Sequence, residues 1–305
     1  MGLMTSAVLA VLPRVPRPVM RRLSARYIAG ETLPEALQRL EALRAAGHPG
    51  ILDILGEEVD REAEASEVAR EYARAADAVA ERSLDAYVSV KPTHFGLRIG
   101  EALALELYRQ LAEHCAKLGL FVRVEMEDHT TTDATLRVFE ALRADHGNVG
   151  IVLQSRLFRT PRDIARLAPG PLSVRMVKGI YLEPPEIAHV EPEPIRQAFM
   201  DCSRALLDRG ARVSFATHDD RLGERVAALV RERGMRSEDY EFQVLLGVRE
   251  ALWARWRADG HVVRVYVPYG PEWLAYSLRR LKKNPQILGH VMRAALGKDG
   301  GARSR

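Results

Sequence analysis

Short runs rich in β-branched and other apolar residues alternate with longer stretches in which apolar side chains recur every three to four positions. The alternation covers nearly the whole chain. The short runs are residues 50–55, 86–91, 120–126, 149–154, 172–178, 212–217, 240–245 and 262–267. Each has strand length, and the stretches between them, such as 99–115, 131–145, 194–208 and 222–233, have helical spacing. Strand, helix, strand repeated in this way means parallel pairing through crossovers. Eight such units predict an α/β fold, a closed (β/α)8 TIM-type barrel. The rival is an open doubly wound sheet, which usually carries a glycine-rich phosphate loop after its first strand. Here the first run passes into Leu55-Gly56-Glu57-Glu58, and no GxGxxG occurs anywhere.

Residues 1–47 precede the barrel and read as a helical arm packed on it. Over 32–46, Leu33, Ala36, Leu37, Leu40 and Leu43 fall on one side of a helix. The barrel itself is expected over 48–296, and 297–305 as a disordered tail.

Composition narrows the classes of function. The 305 residues suffice for one large domain or two small ones, and a hydrophobic fraction of 47% allows a sizeable core. Cys115 and Cys202 are the only cysteines, which argues against a disulfide framework and for a reducing compartment, hence the cytoplasm. No cysteine spacing resembles a zinc site, and His129, His146 and His218 lie in separate segments, so no metal is expected. The net charge of +4 is modest, and much of the excess sits at 279–283 and 298–305 without interleaved aromatics. Nucleic acid is therefore a poor partner, while peripheral contact with the anionic inner face of a membrane stays open. The apolar start, MGLMTSAVLAVLP, has no basic residue ahead of it and is followed by Pro16 and Pro18, which argues against a signal peptide. No apolar run approaches the ~18 residues of a spanning helix.

In a barrel of this kind the active groups sit at the C-terminal strand ends. Those ends carry Glu57, Lys91, Glu125, Gln154, Arg175 with Lys178, Thr217 with His218, Gln243 and Tyr266, whereas strand interiors are mostly Val, Ile, Leu and Phe. Lys91 or Lys178 can serve as a Schiff-base nucleophile, as in an aldolase-like lyase, or as a fixed positive charge beside an electron-rich ring or phosphate. Ion pairing of such a lysine with Glu125 or Glu127 is the structural alternative. His218 suits a proton shuttle, a donor to a cofactor or a packed position. After the last run, Pro268-Tyr269-Gly270 reads as a turn, followed by a helix with Tyr276, Arg279 and Arg280. Residues three and four apart share a helix side, so the ring lies one turn from two guanidiniums, each able to grip a carboxylate in a bidentate fork. That pattern suits a small amino or carboxylic acid; a solvated basic helix face is the plainer alternative.

The ordered set Val88-Ser-Val-Lys91, Val124-Glu-Met-Glu127, Val152-Leu-Gln154, Val174-Arg-Met-Val-Lys-Gly-Ile-Tyr181, Phe215-Ala-Thr-His218, Glu241-Phe-Gln-Val-Leu245, Val265-Tyr-Val-Pro-Tyr-Gly270 and Tyr276-Ser-Leu-Arg-Arg280 resembles the proline dehydrogenase family. The length resembles its monofunctional, FAD-dependent members. The resemblance implies a distorted barrel with FAD at its mouth and oxidation of L-proline to Δ1-pyrroline-5-carboxylate by hydride transfer to flavin N5. Electrons would then pass to a membrane quinone. The same resemblance implies catalytic roles for Lys91, Glu125 and Tyr266, with Glu125 the partner of Lys91. Arg279 and Arg280 would hold the proline carboxylate, with Tyr181, Leu245, Tyr266 and Tyr276 around the pyrrolidine ring and Lys91 near both substrate and flavin. Gln154, Arg175, Lys178, Gly179, Tyr181, Thr217 and His218 would contact FAD. Two positions depart from the family pattern. Lys283 stands where an acidic residue is usual, four residues after Arg279, so like-charge repulsion replaces an expected ion pair. Glu125 stands where an aspartate is expected, which keeps the charge and adds a methylene.

Overall fold

A computed structural model describes residues 20–21 and 24–283, with side chains as far as residue 278. The expected tail and residues 1–19 and 22–23 of the arm lie outside the described residues, as do the side chains of Arg279, Arg280 and Lys283. Eight parallel strands pair in chain order to form a closed barrel: β1 (Gly50–Ile54), β2 (Ala86–Val90), β3 (Val122–Val124), β4 (Val149–Gln154), β5 (Ser173–Val177), β6 (Arg212–Ala216), β7 (Tyr240–Leu245) and β8 (Val263–Tyr269). Closure comes from β8 against β1, in register from Gly50↔Val265 to Ile54↔Tyr269. Helix α1 (Leu33–Ala45) precedes the barrel. The connections carry α2 (Glu62–Glu81), α3 (Glu101–Lys117), α4 (Thr132–Asp145), α5 (Thr160–Arg166), α6 (Pro192–Asp208), α7 (Asp220–Glu232) and α8 (Glu250–Ala258), and α9 (Trp273–Lys283) follows β8. The predicted (β/α)8 barrel is the observed fold.

The arm helix keeps its predicted face: Ala36, Leu37, Leu40 and Leu43 are buried, and α1 packs on β8 and β1. Its start is set by Glu35, whose carboxylate accepts from the Thr32 backbone N–H at 3.0 Å. At the other end of the chain, β8 overruns the expected Pro268-Tyr269-Gly270 turn. Pro268 has no N–H to donate, but it stays in register opposite Asp53, and its carbonyl accepts from the Ala29 N–H at 2.9 Å. The strand stops where Gly270 takes a φ of +133°.

Strand residues point alternately to opposite faces, and here the apolar set points toward the helices. Phe242 on β7 stacks on Trp256 of α8 with ring centroids 4.4 Å apart, so Glu241 and Gln243 face the barrel axis. Val174 and Met176 on β5, and Val263, Val265 and Val267 on β8, belong to the same apolar layer beneath the helices. The expectation of Val, Ile, Leu and Phe interiors holds for that layer and not for the lumen, which barrels of this class usually fill with branched apolar side chains. In this lumen Arg175 donates to Gln243 Oε1 at 2.5 Å, and Gln243 Nε2 donates to the Tyr87 hydroxyl at 2.8 Å. Arg175 also donates to Glu125, just beyond β3. Charge is tolerated there because donors and acceptors on different strands satisfy one another.

Candidate active site

The C-terminal strand ends surround a cavity of about 410 Å³, within the usual range for small-ligand sites. Its wall includes Lys91, Glu125, Gln154, Arg175, Lys178, Gly179, Tyr181, His218, Leu245, Tyr266 and Tyr276. Nearly all the residues singled out in the sequence therefore meet at one mouth, although they lie on elements from β2 to α9. Thr217 is not in the wall: it is buried, and its hydroxyl accepts from the Asp219 N–H at 3.1 Å. Arg279 and Arg280 follow Tyr276 on α9.

The first strand contributes a residue that sequence reasoning missed. β1 ends at Ile54, so Glu57 lies in the following loop, and it is Asp53 that reaches the cavity. The available signal was a single carboxylate inside an otherwise apolar five-residue strand, since a buried charge needs a partner. That partner is Lys91, whose Nζ lies 3.8 Å from Asp53 Oδ2 and donates to Gly56 O at 3.2 Å. Burial pushes the Asp53 carboxyl up to about 6, against the opposing pull of Lys91. Burial also works against charge on Lys91, but Asp53, Glu57, Glu125 and Glu127 outweigh it and hold the ammonium above its ordinary value.

Glu125 is not the ion-pair partner of Lys91, contrary to expectation. It accepts from Ser89 Oγ and from the Arg175 guanidinium. Burial alone would raise its carboxyl, and these two neighbours together with Lys91 hold it below the ordinary range instead. Arg175 is clamped from both sides, by Glu125 and Gln243, with its guanidinium 5.2 Å from the centre of the Tyr266 ring. Tyr266 is thus fixed over a permanent charge.

Gln154 Nε2 donates to Glu127 O at 2.5 Å, while its Oε1 is buried without a donor. Gly179 sits against it at φ +101°, where a Cβ would lie 2.8 Å from Gln154 Oε1. An orphan acceptor beside a position kept open by glycine is what the N–H edge of a flat ring cofactor would need. Lys178 donates to Asp219 Oδ2 at 3.1 Å. His218 Nε2 accepts from the Leu245 N–H at 2.8 Å, which assigns the neutral ring's proton to Nδ1. The segment leaving β5 is tied down by Arg156, which donates to Tyr181 O, and by Glu183, which takes the His129 ring Nδ1 at 2.5 Å.

A closed barrel with paired charges and tyrosines converging on one C-terminal cavity defines an enzyme for a small polar substrate. Comparison with known proteins makes that class particular. The family model described as proline dehydrogenase matches residues 36–293. The proline dehydrogenase of Deinococcus radiodurans is 36% identical over 285 residues, covering 92% of each chain. Proline dehydrogenase 1 of Bacillus subtilis is 32% identical over 273 residues, covering 90% of each. Among solved structures, proline utilization A (PutA) from Bdellovibrio bacteriovorus, inactivated by N-propargylglycine, matches in fold with a TM-score of 0.80 at 23% identity. That match covers 92% of this chain but only 34% of the longer PutA chain. The chain belongs to the proline dehydrogenase family.

Proposed function

We propose that this chain oxidises L-proline to Δ1-pyrroline-5-carboxylate, the first step of proline degradation to glutamate, with FAD held at the C-terminal mouth and quinone as electron acceptor. One observation carries the reading. The residues that the family resemblance assigns to substrate and cofactor line a single cavity, apart from Thr217 and the two arginines whose side chains lie outside the described residues.

The residues present fit the cofactor. Gln154 offers its orphan acceptor, Gly179 leaves the space, and Lys178 and His218 Nδ1 add donors around it. When bound, FAD supplies the hydride acceptor, at N5. The protein itself needs no nucleophile; its task is to orient and enclose. Tyr181, Leu245, Tyr266 and Tyr276 offer the apolar surface for a pyrrolidine ring. Arg279 and Arg280, on the same helix as Tyr276, are assigned the carboxylate. Hydride can leave the carbon beside nitrogen only if the amine is neutral, because its lone pair forms the imine. Lys91 remains an ammonium in the cavity wall, so a second ammonium beside it is disfavoured.

The rival reading, a Schiff-base lyase, requires a neutral lysine. Lys91 is held in its charged form by its carboxylate neighbours, and Lys178 is ion-paired with Asp219. Neither is prepared as a nucleophile. Cytoplasmic location and peripheral attachment to the membrane's inner face belong to the same proposal; no helix among the described residues is long and apolar enough to cross a membrane. The test is anaerobic mixing of the purified flavoprotein with L-proline while the flavin absorbance is followed. Bleaching is expected, and a flavin that stays oxidised at high proline would overturn the assignment.

A further inference from the structure

The N-terminal strand ends enclose a second cavity, of about 280 Å³, at the opposite mouth of the barrel. Three arginines face it, Arg123, Arg212 and Arg264, against two carboxylates, Asp85 and Glu241. Arg264 engages both carboxylates: its Nε lies 2.9 Å from Glu241 Oε2 and its Nη1 3.0 Å from Asp85 Oδ1. Arg212 stands at the rim, with half of its side chain exposed, and approaches Glu241 only to 3.9 Å. Three guanidiniums against two carboxylates leave one positive charge uncompensated.

That charge is on Arg123. The residue is 2% exposed; Glu241 acts on it only from beyond ion-pair distance, and the ion pairs of Asp85 and Glu241 are with Arg264 and Arg212. Its guanidinium donates to neutral oxygens, Ser173 O at 2.9 Å, Ser173 Oγ at 3.2 Å and Ile151 O at 3.3 Å, with the Tyr87 hydroxyl as a further neutral partner. Its Nε is buried with no acceptor. The Phe121 and Tyr87 rings flank it, with centroids 4.8 Å and 5.7 Å from Cζ. The seat is built for it, because a Cβ at Gly150 on β4 would collide with Arg123 Nη1 and with Ser173 O. A strand has given up its side chain to admit a cation where barrels usually pack Val, Ile or Leu.

A buried guanidinium without a counter-charge is strongly unfavourable, and the usual remedy is a carboxylate or phosphate held by charge-assisted hydrogen bonds. We propose that this N-terminal mouth binds a small oxyanion, held between Arg123 on the floor and Arg212 at the rim, with Phe121 and Leu120 as its apolar wall. The site is separate from the C-terminal mouth and does not depend on the reaction assigned there.

The experiment is calorimetric titration of the flavin-loaded protein with inorganic phosphate and, separately, with acetate, both at constant ionic strength and in the absence of proline. One saturable site per chain is expected for at least one of the two anions, weakened tenfold or more in Arg212→Gln and in Arg123→Met. Binding of phosphate alone, or of acetate alone, would identify which oxyanion class the site takes. Arg123→Met changes a buried residue, so Arg212→Gln, a rim change compatible with folding, decides the matter by itself. No saturable binding of either anion, or binding unchanged in Arg212→Gln, would overturn the proposal.

Discussion

Lys91 Nζ stands 3.8 Å from Asp53 Oδ2 in the wall of the C-terminal mouth, and the proton on that buried carboxyl decides whether the pair exists. Asp53 is lifted from 3.8 to about 6 by burial. It is ionised above that value and gives Lys91 its partner; below it, the carboxyl is protonated and the pair is lost. We expect kcat/KM for proline to fall as the pH drops through about 6, and Asp53→Asn to lower kcat/KM and remove that inflection. The stability effect has the opposite sign. With the folded value above the ordinary one, the contribution of Asp53 is fully present below 3.8 and is lost as pH rises through about 6. Thermal unfolding of Asp53→Asn should therefore lose less stability than the native protein between those two values.

Arg175 joins Glu125, Gln243 and Tyr87 from the middle of the lumen. A lysine in its place keeps the charge but cannot fork between Glu125 and Gln243. Leaving that buried carboxylate poorly paired should destabilise Arg175→Lys by about 3 kcal/mol, roughly 6 °C or more in Tm. A melt within a degree or two of the native protein would contradict the clamp.

Gly179 is a position in the cavity wall where a methyl group is poorly tolerated. Its φ of +101° disfavours any L side chain, and its Cβ would press on Gln154 Oε1 and Arg156. Gly179→Ala is expected to purify with a reduced flavin-to-protein ratio while remaining folded by circular dichroism. Full flavin occupancy would exclude this loop from the cofactor site.

Borohydride treatment in the presence of proline should leave the mass of the polypeptide unchanged. Lys91 keeps its proton among four carboxylates, and Lys178 donates to Asp219. A substrate adduct mapped to either lysine would revive the lyase reading.

Lys283 lies four residues beyond Arg279 on α9, at the position where the family resemblance leads us to expect an acidic residue. Reversing the charge should help to hold Arg279 for a carboxylate. Lys283→Glu is expected to lower KM for proline two- to fivefold, about 0.4–1 kcal/mol, with little change in kcat. Steady-state kinetics at low salt would detect it, and an unchanged or higher KM would separate this position from substrate binding.

The barrel was legible because its signal is local. Strand length, helical spacing and polar residues at strand ends repeat unit by unit, so runs such as 149–154 and 240–245 coincide with β4 and β7. The apolar face of α1 was legible for the same reason, since one turn of the helix already places Leu37 and Leu40 together. The sequence alone also pointed to most of the polar residues that line the mouth, from Lys91 to Tyr276, because each lies in or just after its own strand or turn, but it missed Asp53 and wrongly included Thr217. Tertiary closure decided who pairs with whom. Lys91 takes Asp53 from the adjacent strand β1, and Glu125 takes Arg175 from β5, two strands on; strand register and the curl of the barrel set both pairings. Closure also turned Asp53 inward and filled the lumen with charge, as Gln243 reaching Tyr87 across 156 residues makes plain. A period of two shows that successive side chains alternate, but not which face becomes the inside; the apolar layer beneath the helices, wider than the lumen, claimed the Val, Ile and Phe set and left the axis to the polar one.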